Sequence, residues 1–199
     1  MWSDIKRKGI LFVVSAPSGA GKTTLVDIAK EGIINISSSI SHTTRAPRAG
    51  EENGREYHFV DRLEFKSMIE RGEFLEWAEV FGNFYGTSVK NLEIVEKEGK
   101  DLLFVIDVQG AEKLRKLKKA ACSIFILPPS LKELEARLVK RAMDSTGDMR
   151  RRLETAPKEI AQYKHYDYVI VNKDVEDAAL NLRSIILAER CRNANLIKP

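Results

Sequence analysis

Cysteine is scarce in this 199-residue chain. Cys122 and Cys191 stand far apart with no metal-ligand spacing, which favours a reduced, cytoplasmic protein over a disulfide scaffold. Cys122 leads into the strand-like Ser123-Ile124-Phe125-Ile126-Leu127 and is expected to be a buried thiol. Long apolar runs are missing too: none approaches the roughly 20 residues that a membrane-spanning helix needs. Met1 to Gly9 is charged, and the apolar run behind it is too short and too strand-like for a secretory signal. His42, His58 and His165 show no ligand spacing and are assigned no chemistry. Repeats, low-complexity tracts and flexible linkers are absent, which suits one compact domain with small inserted lobes. The net charge is only +4, and several basic residues fall in two segments, Arg45–Arg55 and Arg137–Arg152, not in one tract interleaved with aromatics. That pattern fits loops closing on phosphates better than a groove for a polymer, so neither nucleic acid nor a membrane is an expected partner.

What is present is alternation. Apolar runs at Ile10–Val14, Leu102–Ile106, Ser123–Leu127 and Tyr168–Val171 are separated by helical patterns, the mark of an α/β fold with a mainly parallel sheet. Asp61 with Glu64 caps a helix ending near Gly72, and Ser88 caps another ending near Gly99. Ser130 with Glu133 opens a helix that turns Leu131, Leu134 and Leu138 to one face; Asp174 with Asp177 opens the last, with Ala178, Leu182, Ile185 and Ile186 inward. Two segments fit the alternation poorly. Residues 37 to 87 are polar and turn-rich, with strand-like pieces at Tyr57–Val60 and Phe74–Val80. Residues 129 to 163 are helical, arginine-rich, and expected to be interrupted at Gly147 and Pro157.

Between the first strand and a helix lies Ala16-Pro17-Ser18-Gly19-Ala20-Gly21-Lys22-Thr23, followed by Thr24. Strand, glycine-bearing turn and helix form the context of a phosphate-binding loop. Small residues let backbone N–H groups approach phosphates, and the helix N-terminus adds partial positive charge. Lys22 would reach the β- and γ-phosphates, and the Thr23 hydroxyl would ligate Mg²⁺. The pattern asks for glycine where Ala16 stands, so Ala16 fits only if that backbone is not left-handed.

Ser41-His42-Thr43-Thr44-Arg45-Ala46-Pro47-Arg48-Ala49-Gly50-Glu51 resembles the signature of the guanylate kinase family. The likeness continues through Gly54–Val60, Phe74–Ala78, Gly82–Thr87, Ile106–Gly110, Ile126–Ser130 and Tyr168–Asn172, in the family's order from about residue 10 to about 190. The resemblance implies a P-loop nucleoside monophosphate kinase-like fold: a core of residues 1–36, 88–128 and 164–199, a GMP-binding lobe of 37–87, and a helical lid of 129–163. It implies Mg²⁺-dependent transfer of the ATP γ-phosphoryl group to GMP, and to dGMP, with GMP and ATP as small-molecule partners and the oligomeric state left open.

By the same resemblance, Arg45, Arg48, Tyr57 and Tyr85 would grip the acceptor phosphate, with Glu51 among the acceptor's contacts. Ser41, Glu76, Thr87 and Asp107 would read guanine. The chemistry agrees, because a carboxylate accepts both N1–H and N2–H₂ of guanine and a hydroxyl donates to O6, while adenine offers the carboxylate a lone pair. Arg137, Arg141 and Arg152 match lid arginines that close over the triphosphate, and Asn172 joins the donor site. The chain departs from the pattern at Val105, where many relatives carry an acid, and at Ala142, Gly147 and Lys173. Two rivals stand beside this reading. A kinase-like interaction module would damage the phosphate loop or lid, and an enzyme for another phosphorylated acceptor would have no use for a base-reading acid.

Overall fold

The computed structural model describes residues 6–116, 122–140 and 146–197. In chain order these form β1 (Lys6–Arg7), β2 (Leu11–Ser15), α1 (Lys22–Lys30), β3 (Ile36–Ser38), β4 (His42–Thr43), β5 (His58–Phe59), α2 (Arg62–Glu70), β6 (Phe74–Val80), β7 (Asn83–Ser88) and α3 (Leu92–Glu96). There follow β8 (Asp101–Val105), α4 (Val108–Lys116), β9 (Cys122–Leu127), α5 (Leu131–Lys140), α6 (Thr146–Ile160), β10 (Tyr168–Val171), α7 (Val175–Arg190) and β11 (Leu196–Ile197).

The main sheet among the described residues has the order β10-β9-β2-β8-β3, with every neighbouring pair parallel. Four of these strands lie on the expected apolar runs, which are continuous because both faces are covered. The pleat sends Phe12 and Val14 to one side, against Leu25, Val26 and Ala29 of α1 and Ala178, Leu182 and Ile186 of α7. Leu11 and Val13 go to the other, against Ala111 and Leu114 of α4. The fifth strand, β3, carries Ser37 and Ser38 in register with Leu102 and Leu103; its polar residues gave no apolar signal. β2 is central, so the chain leaves the middle of the sheet at Ala16.

A second sheet of order β5-β4-β7-β6 stands apart from the first. Its β6–β7 hairpin turns on Phe81-Gly82, both at positive φ (49° and 76°), as a tight hairpin turn requires. A register shift between Phe74 and Glu76 pairs Glu76 with Thr87. Phe65 of α2 stacks on Phe74 and Phe84 with ring centroids 4.5 and 5.4 Å away, which closes the other side of this sheet.

The caps form where the sequence places them: Asp61 accepts from Glu64 N, Ser130 from Glu133 N, and Asp174 from Glu176 N and Asp177 N. Ser88 caps a short 3₁₀ turn, Val89–Asn91, that leads into α3. Two expectations are corrected. Gly147 and Pro157 do not interrupt the arginine-rich segment; both lie within α6, which ends three residues beyond the proline and tightens into a 3₁₀ turn at Ala161–His165. Leu131 is not inward but 50% exposed, because it begins α5 ahead of the turn where Leu134 and Leu138 pack on Ala156 of α6.

Candidate active site

The loop after β2 is built on two left-handed glycines, Gly19 (φ 89°) and Gly21 (φ 86°). The described non-glycine residues at positive φ are Asn35 and Phe81, so Ala16 keeps an ordinary backbone and its methyl is buried without strain. Pro17 and Ala20 complete the turn, with Ala20 N donating to Pro17 O at 3.2 Å. Lys22 starts α1 and donates from Nζ to the carbonyl of Ile106, just past β8, at 2.5 Å. Burial lowers its ammonium pKa to about 8, against the opposing pull of Asp107, Glu159 and Glu76. Thr23 and Thr24 follow in the exposed first turn of α1 and line the cleft. Asn172 is buried behind the loop; its Nδ2 donates to Ala20 O at 2.9 Å, bracing the turn instead of lining the cleft.

The cleft, about 550 Å³, runs from this loop to the second sheet. At its far end Glu76 is only 7% exposed. Thr87 Oγ1 donates to Glu76 Oε1 at 2.6 Å, and Ser41 Oγ lies 3.5 Å from the same threonine oxygen. Burial pushes the Glu76 carboxyl up to about 7; the Thr87 bond counters this and Asp107 adds to it. Asp107 caps α4, accepting from Gly110 N at 2.7 Å. Gly110 is a residue at this end of the cleft that sequence reasoning missed. A methyl group there would stand 2.6 Å from Glu76 Oε2 and 3.2 Å from Asp107 Oδ1. The two carboxylates share one end of the cleft because that position has no side chain. The Asp-x-x-Gly spacing within a helix's first turn was the available signal.

Arg45 reaches the same cleft with its Nη2 2.9 Å from both oxygens of Glu51, and its guanidinium lies 5.4 Å from the Tyr57 ring centroid. Glu51 also accepts from Arg48 N at 2.8 Å, so it braces the arginine loop from outside the cleft wall. Arg48, Tyr57 and Tyr85 line the wall, the two phenol rings 5.9 Å apart. Burial raises the Tyr57 pKa, keeping that hydroxyl a proton donor.

From α5, Arg137 donates to Glu133 Oε1 at 3.0 Å and to Asn172 O at 3.1 Å. From α6, Arg152 bonds the Ser18 hydroxyl, with its guanidinium 4.6 Å from the Phe81 ring centroid. Arg141 and Ala142 lie outside the described residues. Glu159, a second residue that sequence reasoning missed, accepts from Ser18 N at 3.2 Å. Val105 lines the cleft beside Ile106, and Lys173 is exposed away from it.

The family model described as guanylate kinase matches residues 8–189. The chain belongs to the guanylate kinase family. The guanylate kinase of Geobacter metallireducens is 46% identical over 194 residues, covering 98% of this chain and 96% of that one. The guanylate kinase of Dechloromonas aromatica is 50% identical over 197 residues, covering 96% and 98%. The crystal structure of guanylate kinase from Anaplasma phagocytophilum superposes with a TM-score of 0.80 at 41% identity, covering 97% of this chain and 92% of that one. A guanylate kinase is a phosphotransferase acting on GMP, and this chain has that function. Among the described residues of this family member, no helix is long and apolar enough to cross a membrane.

Proposed function

We propose that this chain transfers the γ-phosphoryl group of ATP to GMP, giving ADP and GDP, with Mg²⁺. The observation that carries this reading is the buried Glu76–Thr87 pair beside Asp107 at one end of a cleft whose other end is a phosphate loop. Glu76 accepts from guanine N1–H and N2–H₂, Asp107 supports that edge, and Ser41 and Thr87 offer hydroxyls. A site that depends on such bonds rejects a base lacking them by roughly 10⁴–10⁵. None of these contacts needs the ribose 2′-hydroxyl, so dGMP is a second acceptor.

Arg45 and Arg48 take the acceptor phosphate through charge-assisted bonds, with Tyr57 and Tyr85 as neutral donors and Glu51 holding the loop. The donor lies on Ala16–Thr24, with Lys22 on its phosphates and Asn172 stiffening the turn. The loop suits an anion: its Ser18 amide already donates to the Glu159 carboxylate. Thr23 would hold Mg²⁺, which supplies charge neutralisation between the phosphates when bound. The Lys22 ammonium donates to the Ile106 carbonyl at a depressed pKa; phosphate oxygens nearby would raise it and keep the charge in place.

The acceptor oxygen needs no general base, because a phosphate monoester's second pKa is near about 6. The work of the chain is to hold two polyanions in line and exclude water. Residues 37–87 act as the GMP lobe and 129–163 as the lid on a core of 1–36, 88–128 and 164–199, with Arg137, Arg141 and Arg152 brought over the triphosphate. Lys22→Ala tests the donor half. ADP release with MgATP and GMP should fall by on the order of 10²–10³ while GMP binding persists; wild-type turnover in that variant would refute the mechanism.

A further inference from the structure

α6 grips the phosphate loop at one residue from two sides. Arg152 bonds the Ser18 hydroxyl, and Glu159, on the same face of the helix, accepts from the Ser18 amide at 3.2 Å. The groups facing this carboxylate are Arg152 of α6, Lys22 of α1 and Asp107 ahead of α4. An anionic oxygen on a loop amide, within the field of the Lys22 ammonium, stands where such a loop would hold a phosphate oxygen. Glu159 and a polyphosphate carry the same sign of charge, so both cannot hold that amide.

We propose that Glu159 competes with the phosphoryl donor for the phosphate loop. It occupies the Ser18 amide when the donor is absent, and its carboxylate must swing off that amide as the donor binds while Arg152 stays beside the loop. The proposal rests on the donor-site reading above. It makes Glu159 a positioning residue that sets donor affinity. Burial raises the Glu159 pKa above the ordinary carboxylate range, as expected for a charge with little water around it.

The test is MgATP affinity of the full chain by isothermal titration calorimetry, for wild type, Glu159→Gln, Glu159→Ala and Lys22→Ala. Glu159→Gln keeps the size and one acceptor oxygen but removes the charge, and MgATP should bind about three- to tenfold tighter. Glu159→Ala should match or exceed that gain, while GMP affinity stays within about twofold. The ratio between wild type and Glu159→Gln should shrink as pH falls and the wild-type carboxyl takes up its proton. The charge state of ATP itself cancels in that ratio, and a purely structural role would not move it. Unchanged or weaker MgATP binding in both Glu159 variants, with binding lost in Lys22→Ala, overturns the proposal and leaves the donor site standing. MgATP binding that is indifferent to Lys22→Ala overturns the donor-site reading itself.

Discussion

At the scale of single residues, the cost of function is concentrated in Glu76. Its carboxyl rises from an ordinary 4.5 to about 7 because burial outweighs the Thr87 hydrogen bond. Between those values the folded chain holds a proton that the unfolded chain releases. The folded state is therefore least burdened below pH 4.5 and loses stability as pH rises toward 7, by on the order of 3 kcal/mol. Glu76→Gln should raise the thermal midpoint of the ligand-free protein at pH 8 and leave it nearly unchanged at pH 4, as measured by calorimetry. On the proposed reading Glu76 accepts from guanine as a carboxylate, so wild-type GMP affinity should fall below pH 7 more steeply than that of Glu76→Gln. Gly110→Ala separates packing from chemistry at the same spot. Alanine favours the helix over glycine by about 1 kcal/mol, yet its methyl would displace the Glu76 carboxylate. The variant should lose GMP affinity by at least about tenfold and turn over AMP no better, whereas a gain in GMP affinity would contradict the packing argument.

At the scale of elements, what was legible in the sequence is what neighbouring residues decide. β2, the turn and α1 could be read because apolar run, small residues and helix follow one another directly, and Asp61, Ser130 and Asp174 cap within three residues of themselves. β3 was not legible, since Ile36-Ser37-Ser38 becomes a strand only beside β8, far along the chain. The Glu159–Ser18 bond spans 141 residues and leaves no local trace. Pro157 was misjudged because a local rule met a tertiary anchor: Ala156, its neighbour, is buried against Leu134 and Leu138. That anchor also carries the phosphate loop, because a methyl group at Gly19 would stand 2.6 Å from Leu138 Cδ2. Leu138→Ala should therefore cost about 2–4 kcal/mol in urea unfolding and raise KM for MgATP more than KM for GMP. Equal rises would show that α5 does not support the loop separately.

At the scale of the whole molecule, the sheet must be held rigid while two arginine-bearing segments face each other across the cleft. Asp101 contributes to that rigidity. It is fully buried at the start of β8, accepts from Ile10 N at 3.0 Å and Arg190 Nε at 2.6 Å, and pairs with Arg7. This joins the N-terminal strand, the sheet and α7. Asp101→Asn leaves two arginines facing a neutral amide and should destabilise the chain by about 3–5 kcal/mol, with base selectivity unchanged in whatever fraction remains folded. The phosphate loop and the Glu76–Thr87 pair stand at opposite ends of one cleft, and the proposed function gives Glu76 the reading of the base. The most direct measurement is ADP release with MgATP and, in turn, GMP, AMP, UMP and dTMP, for wild type and Glu76→Gln. The account predicts turnover confined to GMP in the wild type and sharply weakened for GMP in the variant. Turnover indifferent to the base, or a variant that keeps full GMP selectivity and rate, would contradict it.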